Sequence, residues 1–306
     1  MRYATPGAFR TALEQRLLTV AQQAQVPVVR LRKLVVFERL LARLIFVAPD
    51  SWLLKGALAL DLRFGTRARA TKDMDLAREG GEAAATADLL AAQAVALGDY
   101  FTFTIVKTGR LAGLEGAAAR YHVVAELAGR LFEDAIVDVD FGDALVVAPD
   151  LVPVPDLLGF AGIEMIAVPA LPLELHVAEK VHAYTRIYAG GRTSSRVKDL
   201  VDLALIRSCA AFEASSLQQA LLVTFERRGA HAIPAALPPP PPDWGLAYRK
   251  MAMAVGLNPD VATGYRLAAD FLDPILSGAV PDDARWDPVC HGWHWLNSGA
   301  NVEVDR

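Results

Sequence analysis

The sequence predicts an α/β (α+β) fold in which a mixed, twisted sheet with flanking helices is followed by a helical C-terminal domain. Three observations predict it. Short apolar or alternating runs intersperse with helix-period stretches up to about residue 141, prolines 149, 153, 155, 169 and 172 then interrupt the pattern, and from Leu173 onward the periodicity is helical. The boundary divides the chain into residues 1–170 and 171–306.

Taken in order, Pro6 to about Val47 reads as two helices, with Leu13, Leu17 and Val20 and then Leu34, Leu41 and Leu44 at helical spacing, broken at Val26-Pro27-Val28. Arg30, Arg32, Arg39 and Arg43 are interleaved, and a solvated face is expected rather than an RNA-binding one. A strand near Ser51–Leu54 leads through Lys55-Gly56 into a helix near Ala57–Phe64, and a strand near Lys72–Ala77 returns. Ala83–Leu97 reads as a helix, and Phe101–Lys107, Arg120–Leu127 and Ala135–Phe141 read as strands. The segment 149–172 is expected to be an irregular connection. Helices are expected over Leu173–Tyr188, from Arg196, over Trp244–Val255 and over Ala262–Ile275, with the five prolines Pro238 to Pro242 as an extended spacer.

The chain has 306 residues, of which 53% are hydrophobic and 22% charged, so a large core forms and global disorder is excluded. A net charge of −4 offers no global attraction for nucleic acid, so any RNA partner requires a local basic patch. No apolar run reaches the ~18 residues of a membrane span, and Met1–Pro6 opens no signal-peptide core, so a cytoplasmic protein without membrane contact is expected. Cys209 and Cys290 form neither a disulfide framework nor a zinc motif. His291-Gly-Trp-His294 beside Cys290 lacks a further ligand in the sequence and reads as packing, as do Trp286, Trp293 and Trp295. Ser194-Ser195 reads as a loop or helix cap.

The chemistry concentrates around Lys55-Gly56 and Asp73-Met74-Asp75. Residues two apart on a strand share a face, so Asp73 and Asp75 point together while Met74 and Leu76 point into the core. Carboxylates held that close repel unless a cation lies between them, and oxygen-only ligands select Mg²⁺ or Mn²⁺. The Lys55-Gly56-Ala57 turn opens a helix whose N-terminal N–H groups welcome phosphate. Asp138 and Asp140 alternate in the same way on a later strand. Asp138 is the first choice for a third metal ligand and Asp140 the second. A phosphate cradle beside metal-binding carboxylates is the apparatus of nucleotidyl transfer.

Lys55-Gly56, Arg69-x-Thr71-x-Asp73-x-Asp75-Leu76, Asp138-Val-Asp140-Phe, Glu179-Lys180 and Arg196-x-Lys198-Asp199-x-x-Asp202-Leu203 together resemble the AbiEii/AbiGii family of nucleotidyltransferase-like toxins, to which the MenT toxins belong. The resemblance covers most of the chain and implies a polymerase-β-like nucleotidyltransferase domain. It implies catalytic roles for Lys180, Asp199 and Asp202 beside Asp73 and Asp75, and contact with nucleotide phosphates by Lys55, Gly56, Ala57, Arg69, Thr71, Arg196 and Lys198. Ala57 and Leu58 stand where the family has a second glycine and a hydroxyl residue, which leaves backbone donors alone for phosphate. The implied reaction is Mg²⁺-dependent transfer of a nucleoside monophosphate, pyrimidine by analogy, from an NTP to the 3′ end of tRNA, with a cognate antitoxin as partner. Arg63, Arg67, Lys107, Arg110, Arg186 and Arg192 join the basic residues above as candidate contacts to acceptor phosphates. Transfer to a protein hydroxyl and nucleotide or RNA binding without chemistry are the competing expectations.

Overall fold

The computed structural model describes residues 1–110, 118–141, 148–186 and 196–295. The chain divides into two compact units, Met1–Pro172 and Leu173–Arg306.

The first unit opens with α1 (Pro6–Ala24) and α2 (Val28–Val47). Thr5 caps α1 by accepting from the Ala8 N–H at 3.3 Å, and Pro27 stands at the N-cap of α2, where its missing N–H costs nothing. Phe9, Leu13, Leu17 and Ala21 line the buried stripe of α1. Arg32 stays partly exposed beside Glu14, but the other three arginines read as a solvated face are turned inward. Arg43 is fully buried and grips Asp99 through two bonds of 2.9 and 2.7 Å, Arg39 pairs with Glu38 at 2.9 Å, and Arg30 pairs with Asp61 at 2.6 Å. Burial pushes the Glu38 carboxyl up to about 7 despite Arg39 beside it. The pairs with Asp99 and Asp61 tie α2 to the rest of the unit, which is why so basic a helix lies inside the protein.

A seven-stranded mixed sheet follows, built from β1 (Trp52–Lys55), β2 (Asp73–Arg78), β3 (Phe101–Arg110), β4 (Ala118–Leu127), β5 (Arg130–Asp140), β6 (Asp150–Pro153) and β7 (Ala167–Ala170). Its order is β3-β4-β5-β2-β1-β7-β6, with β2–β5 and β1–β7 parallel and the other pairs antiparallel. Helices α3 (Gly56–Phe64) and α4 (Gly81–Ala94) follow β1 and β2. Ala128-Gly129, with φ of 55° and 67°, makes the tight two-residue turn between β4 and β5. Along β5, Phe132, Ala135, Val137 and Val139 enter the core while Asp138 and Asp140 stay half-buried on the other face.

The segment 149–172 is more ordered than its prolines predict, since it supplies β6 and β7. β6 is an edge strand, where Pro153 forfeits no inner ladder bond, and β7 meets β1 at the single register pair Leu54–Ala170, so Pro169 is tolerated.

The second unit contains α5 (Leu173–Thr185), α6 (Val197–Ile206), α7 (Ala214–Arg228), α8 (Gly245–Ala254) and α9 (Val261–Leu276). It also holds a small antiparallel sheet of β8 (Phe212–Glu213), β9 (Arg285–Asp287) and β10 (Gly292–His294). That sheet and α7 were not expected. The proline segment is strapped down rather than loose: Tyr184 donates to the Pro238 carbonyl and Tyr265 to the Leu237 carbonyl, each at 2.8 Å. No described helix is long and apolar enough to cross a membrane.

Candidate active site

In the first unit a single cross-sheet row organises the polar face. Lys55 is the register partner of Asp75, Asp75 of Asp138, and Asp138 of Arg120. Four adjacent strands therefore present the order cation, anion, anion, cation. Neighbouring strands lie ~4.8 Å apart, so the side chains of the row are mutual neighbours. Asp73 lies two residues before Asp75 on β2 and shares its face, and Asp140 lies two residues beyond Asp138 on β5.

The ends of the row are tightly tied. Arg120 grips Asp138 through Nε–H to Oδ1 and Nη2–H to Oδ2, both at 2.7 Å. Asp138, with Asp73 and Asp75 farther off, raises the Arg120 pKa above its usual value. Lys55 is buried, and its Nζ lies 3.6 Å from Asp140 Oδ2.

Gly56 explains the glycine of the Lys-Gly pair. It adopts φ +64° at the start of α3, and a Cβ on it would lie 1.9 Å from Asp75 Oδ2. The backbone thus turns into α3 directly against the Asp75 carboxylate, and no other residue permits both the conformation and the approach. The positive end of α3 consequently faces Asp75. Ala57 occupies the first turn of α3, where helix N–H groups lack intrahelical partners. Thr71 fastens the start of β2: its hydroxyl donates to the Asp73 carbonyl at 2.9 Å and accepts from the Asp73 N–H at 3.3 Å. Arg69 is half-buried in the loop just before.

The second unit holds a different cluster. Lys180 on α5 donates to Asp202 Oδ2 on α6 at 2.6 Å and lies 3.5 Å from Asp199 Oδ1. Arg196 Nε lies 2.7 Å from Asp199 Oδ2. Asp199 and Asp202 are each 1% exposed and Lys180 8%, so the group is buried among its own partners. Lys198 is exposed on the first turn of α6.

Residues 39–273 match the family model described as nucleotidyl transferase AbiEii toxin of type IV toxin–antitoxin systems. The chain belongs to the AbiEii family. Among solved structures, MenT4, a nucleotidyltransferase toxin from Mycobacterium tuberculosis, is similar at 18% identity and TM-score 0.49, covering 83% of this chain and 93% of that one. JHP933 from Helicobacter pylori is similar at 13% identity and TM-score 0.42, covering 81% and 93% of the two chains. No protein among those with curated descriptions matches the sequence. The assignment to AbiEii rests on the family match.

Within this AbiEii chain, the six side chains Lys55, Asp73, Asp75, Arg120, Asp138 and Asp140 comprise four acids and two bases. The four carboxylates offer only oxygen ligands, which suits Mg²⁺ or Mn²⁺. Asp73 and Asp75 could hold such an ion, while both oxygens of Asp138 accept from Arg120 and Asp140 lies beside Lys55.

Several basic residues considered for acceptor phosphates are engaged within the protein. Arg63 pairs with Asp150 at 2.7 Å, and Lys107 and Arg110 both bind Glu82. Arg67 is exposed, and Arg192 lies outside the described residues, as do Ser194 and Ser195. Arg120 escaped sequence reasoning altogether. The available signal was its place on the polar face of an alternating strand, but its partner is set by strand register.

Proposed function

We propose that this AbiEii protein transfers a nucleoside monophosphate, from a pyrimidine NTP, to the 3′-terminal hydroxyl of tRNA and so blocks translation. The observation that carries the reading is the Lys55–Asp75–Asp138–Arg120 row with the Gly56 backbone pressed on Asp75. An NTP substrate and an antitoxin partner follow from the toxin family.

Asp73 and Asp75 are assigned to hold Mg²⁺, with Asp138 and then Asp140 as further oxygen donors where Arg120 and Lys55 give them up. A bound Mg²⁺ supplies positive charge against the phosphate oxygens during displacement. The protein holds the reacting groups in place. Arg120 and Lys55 hold Asp138 and Asp140 in place, and Thr71 fixes the backbone that carries Asp73. The α3 N-terminus at Gly56 and Ala57, with Arg69, is assigned to nucleotide phosphates. Lys180, steered by Asp202 and Asp199, is assigned to charge building on the leaving pyrophosphate. Arg196 holds Asp199, and exposed Lys198 is offered to phosphate. The acceptor 3′ oxygen bonds to the α-phosphorus, the bond to the bridging α–β oxygen breaks, pyrophosphate departs and the hydroxyl proton passes to solvent.

The test incubates the purified protein with total tRNA, Mg²⁺ and each labelled NTP in turn. Label is expected in the RNA fraction with a pyrimidine NTP, and a chelator should abolish it. Label confined to protein, or toxicity and RNA binding that persist in Asp75→Ala without any transfer, would overturn the assignment.

A further inference from the structure

A second candidate metal site lies on the β9–β10 hairpin, in a stretch the sequence reads as packing. Asp287 ends β9, Cys290 lies in the turn and His294 ends β10. Their ligand atoms all lie within 4.8 Å of one another. Register brings them together: Asp287 pairs with Gly292, and His294 is two residues farther on, on the same face. The imidazole folds back over Gly292, its Nε2 3.6 Å from where a Cβ on that residue would lie, an ordinary van der Waals distance. His291, at φ 57°, turns the chain from Cys290 into β10.

We propose that Asp287, Cys290 and His294 form a binding site for a borderline divalent cation of the zinc class, with the fourth position left to water. Carboxylate, thiolate and imidazole are the three donor types such ions take, whereas Mg²⁺ has no use for sulfur or nitrogen. Metal–ligand bonds of 2.0–2.3 Å put tetrahedral ligands roughly 3.3–3.8 Å apart, so side-chain rotations of about one ångström close the trio. The platform is preorganised. Trp286 is buried and donates to the Arg207 carbonyl at 2.7 Å, Trp293 donates to the Phe271 carbonyl at 3.0 Å, and both rings pack on Phe271. Asp287 Oδ1 accepts from the N–H groups of Val289 at 2.7 Å and Cys290 at 3.3 Å, a local arrangement that aims its carboxylate into the turn. Binding releases the Cys290 thiol proton to solvent and pins the turn to the strand pair. This site is independent of the transfer chemistry, and its donor set differs from that of Asp73 and Asp75.

The test titrates the full chain, stripped with chelator, with Co²⁺ and then Zn²⁺. A thiolate-to-cobalt charge-transfer band is expected, saturating at one equivalent and bleached by Zn²⁺. Cys290→Ser should lose the band, His294→Ala and Asp287→Asn should weaken Co²⁺ binding at least ~tenfold, and Cys209→Ser should leave both unchanged. Cobalt at an all-oxygen site gives no such band, so binding at Asp73 and Asp75 does not imitate the result. Absence of the band in the parent chain, its survival in Cys290→Ser, or parent-like binding by folded His294→Ala would each overturn the proposal.

Discussion

Asp75 and Asp202 are both carboxylates with a lysine as neighbour, yet their surroundings differ in kind. Asp75 sits half-buried on the polar face of the sheet, in a row with Arg120 on Asp138 and Lys55 by Asp140. Asp202 is sealed, 1% exposed, with Lys180 Nζ at 2.6 Å. The carboxylates of the first cluster are only half-buried and are the ones assigned to a metal. The second is neutralised internally, because buried charges persist only when paired. Acid-rich motifs that look alike along a chain can therefore differ widely in burial, which their spacing does not reveal.

The sharpest way to break the comparison is to remove the charge in each cluster. Asp75→Asn should lower nucleotidyl transfer by ~10³-fold or more while leaving the thermal midpoint near that of the parent, because the role proposed for this half-buried carboxylate is metal binding and the substitution keeps its shape. Equal transfer by the variant would remove the metal assignment. Lys180→Met should behave oppositely on stability, costing about 3–5 kcal/mol in denaturant unfolding, since it strands Asp202 in the interior. The double variant Lys180→Met/Asp202→Asn should recover most of that loss, with Asp199 still held by Arg196. If the double variant also regains transfer, Lys180 serves structure alone.

Gly56→Ala probes the join between turn and carboxylate. The φ of +64° costs a side chain roughly 1–2 kcal/mol, and the Cβ also drives Asp75 aside. Stability should fall by about that amount or somewhat more, and transfer should fall more steeply than stability, measured by unfolding and by single-turnover kinetics. The smallest effect is expected from Arg120→Ala. It frees both Asp138 oxygens at a partly exposed site, so stability should change by less than ~1 kcal/mol while the Mg²⁺ concentration for half-maximal activity falls several-fold. A rise instead would show that Arg120 supports the metal site by ordering Asp138.

Much of the fold was legible from residue pattern. β1, α3 and β2 occur within a residue or two of their expected limits, because Lys55-Gly56 marks a sharp turn and Asp73-Met74-Asp75-Leu76 alternates cleanly. Helix α7 carried a readable signal, with Leu217, Leu221, Thr224 and Phe225 on one face, but it was obscured by a polar flank. β6 and β7 were hidden by prolines that are harmless at a sheet edge. The arginines of α2 looked solvated because charge alone does not reveal a buried partner such as Asp99, fifty-six residues beyond Arg43.

What the sequence by itself determined is local: helix and strand periods, the glycine turn, and which carboxylates share a strand face, since all follow from neighbours within a few residues. Only the tertiary structure decided that Asp75, Asp138 and Arg120 fall in one row, that Lys180 is locked between aspartates, and that Asp287 meets Cys290 and His294. Register and burial are properties of pairs of distant segments, and no spacing within one segment encodes them.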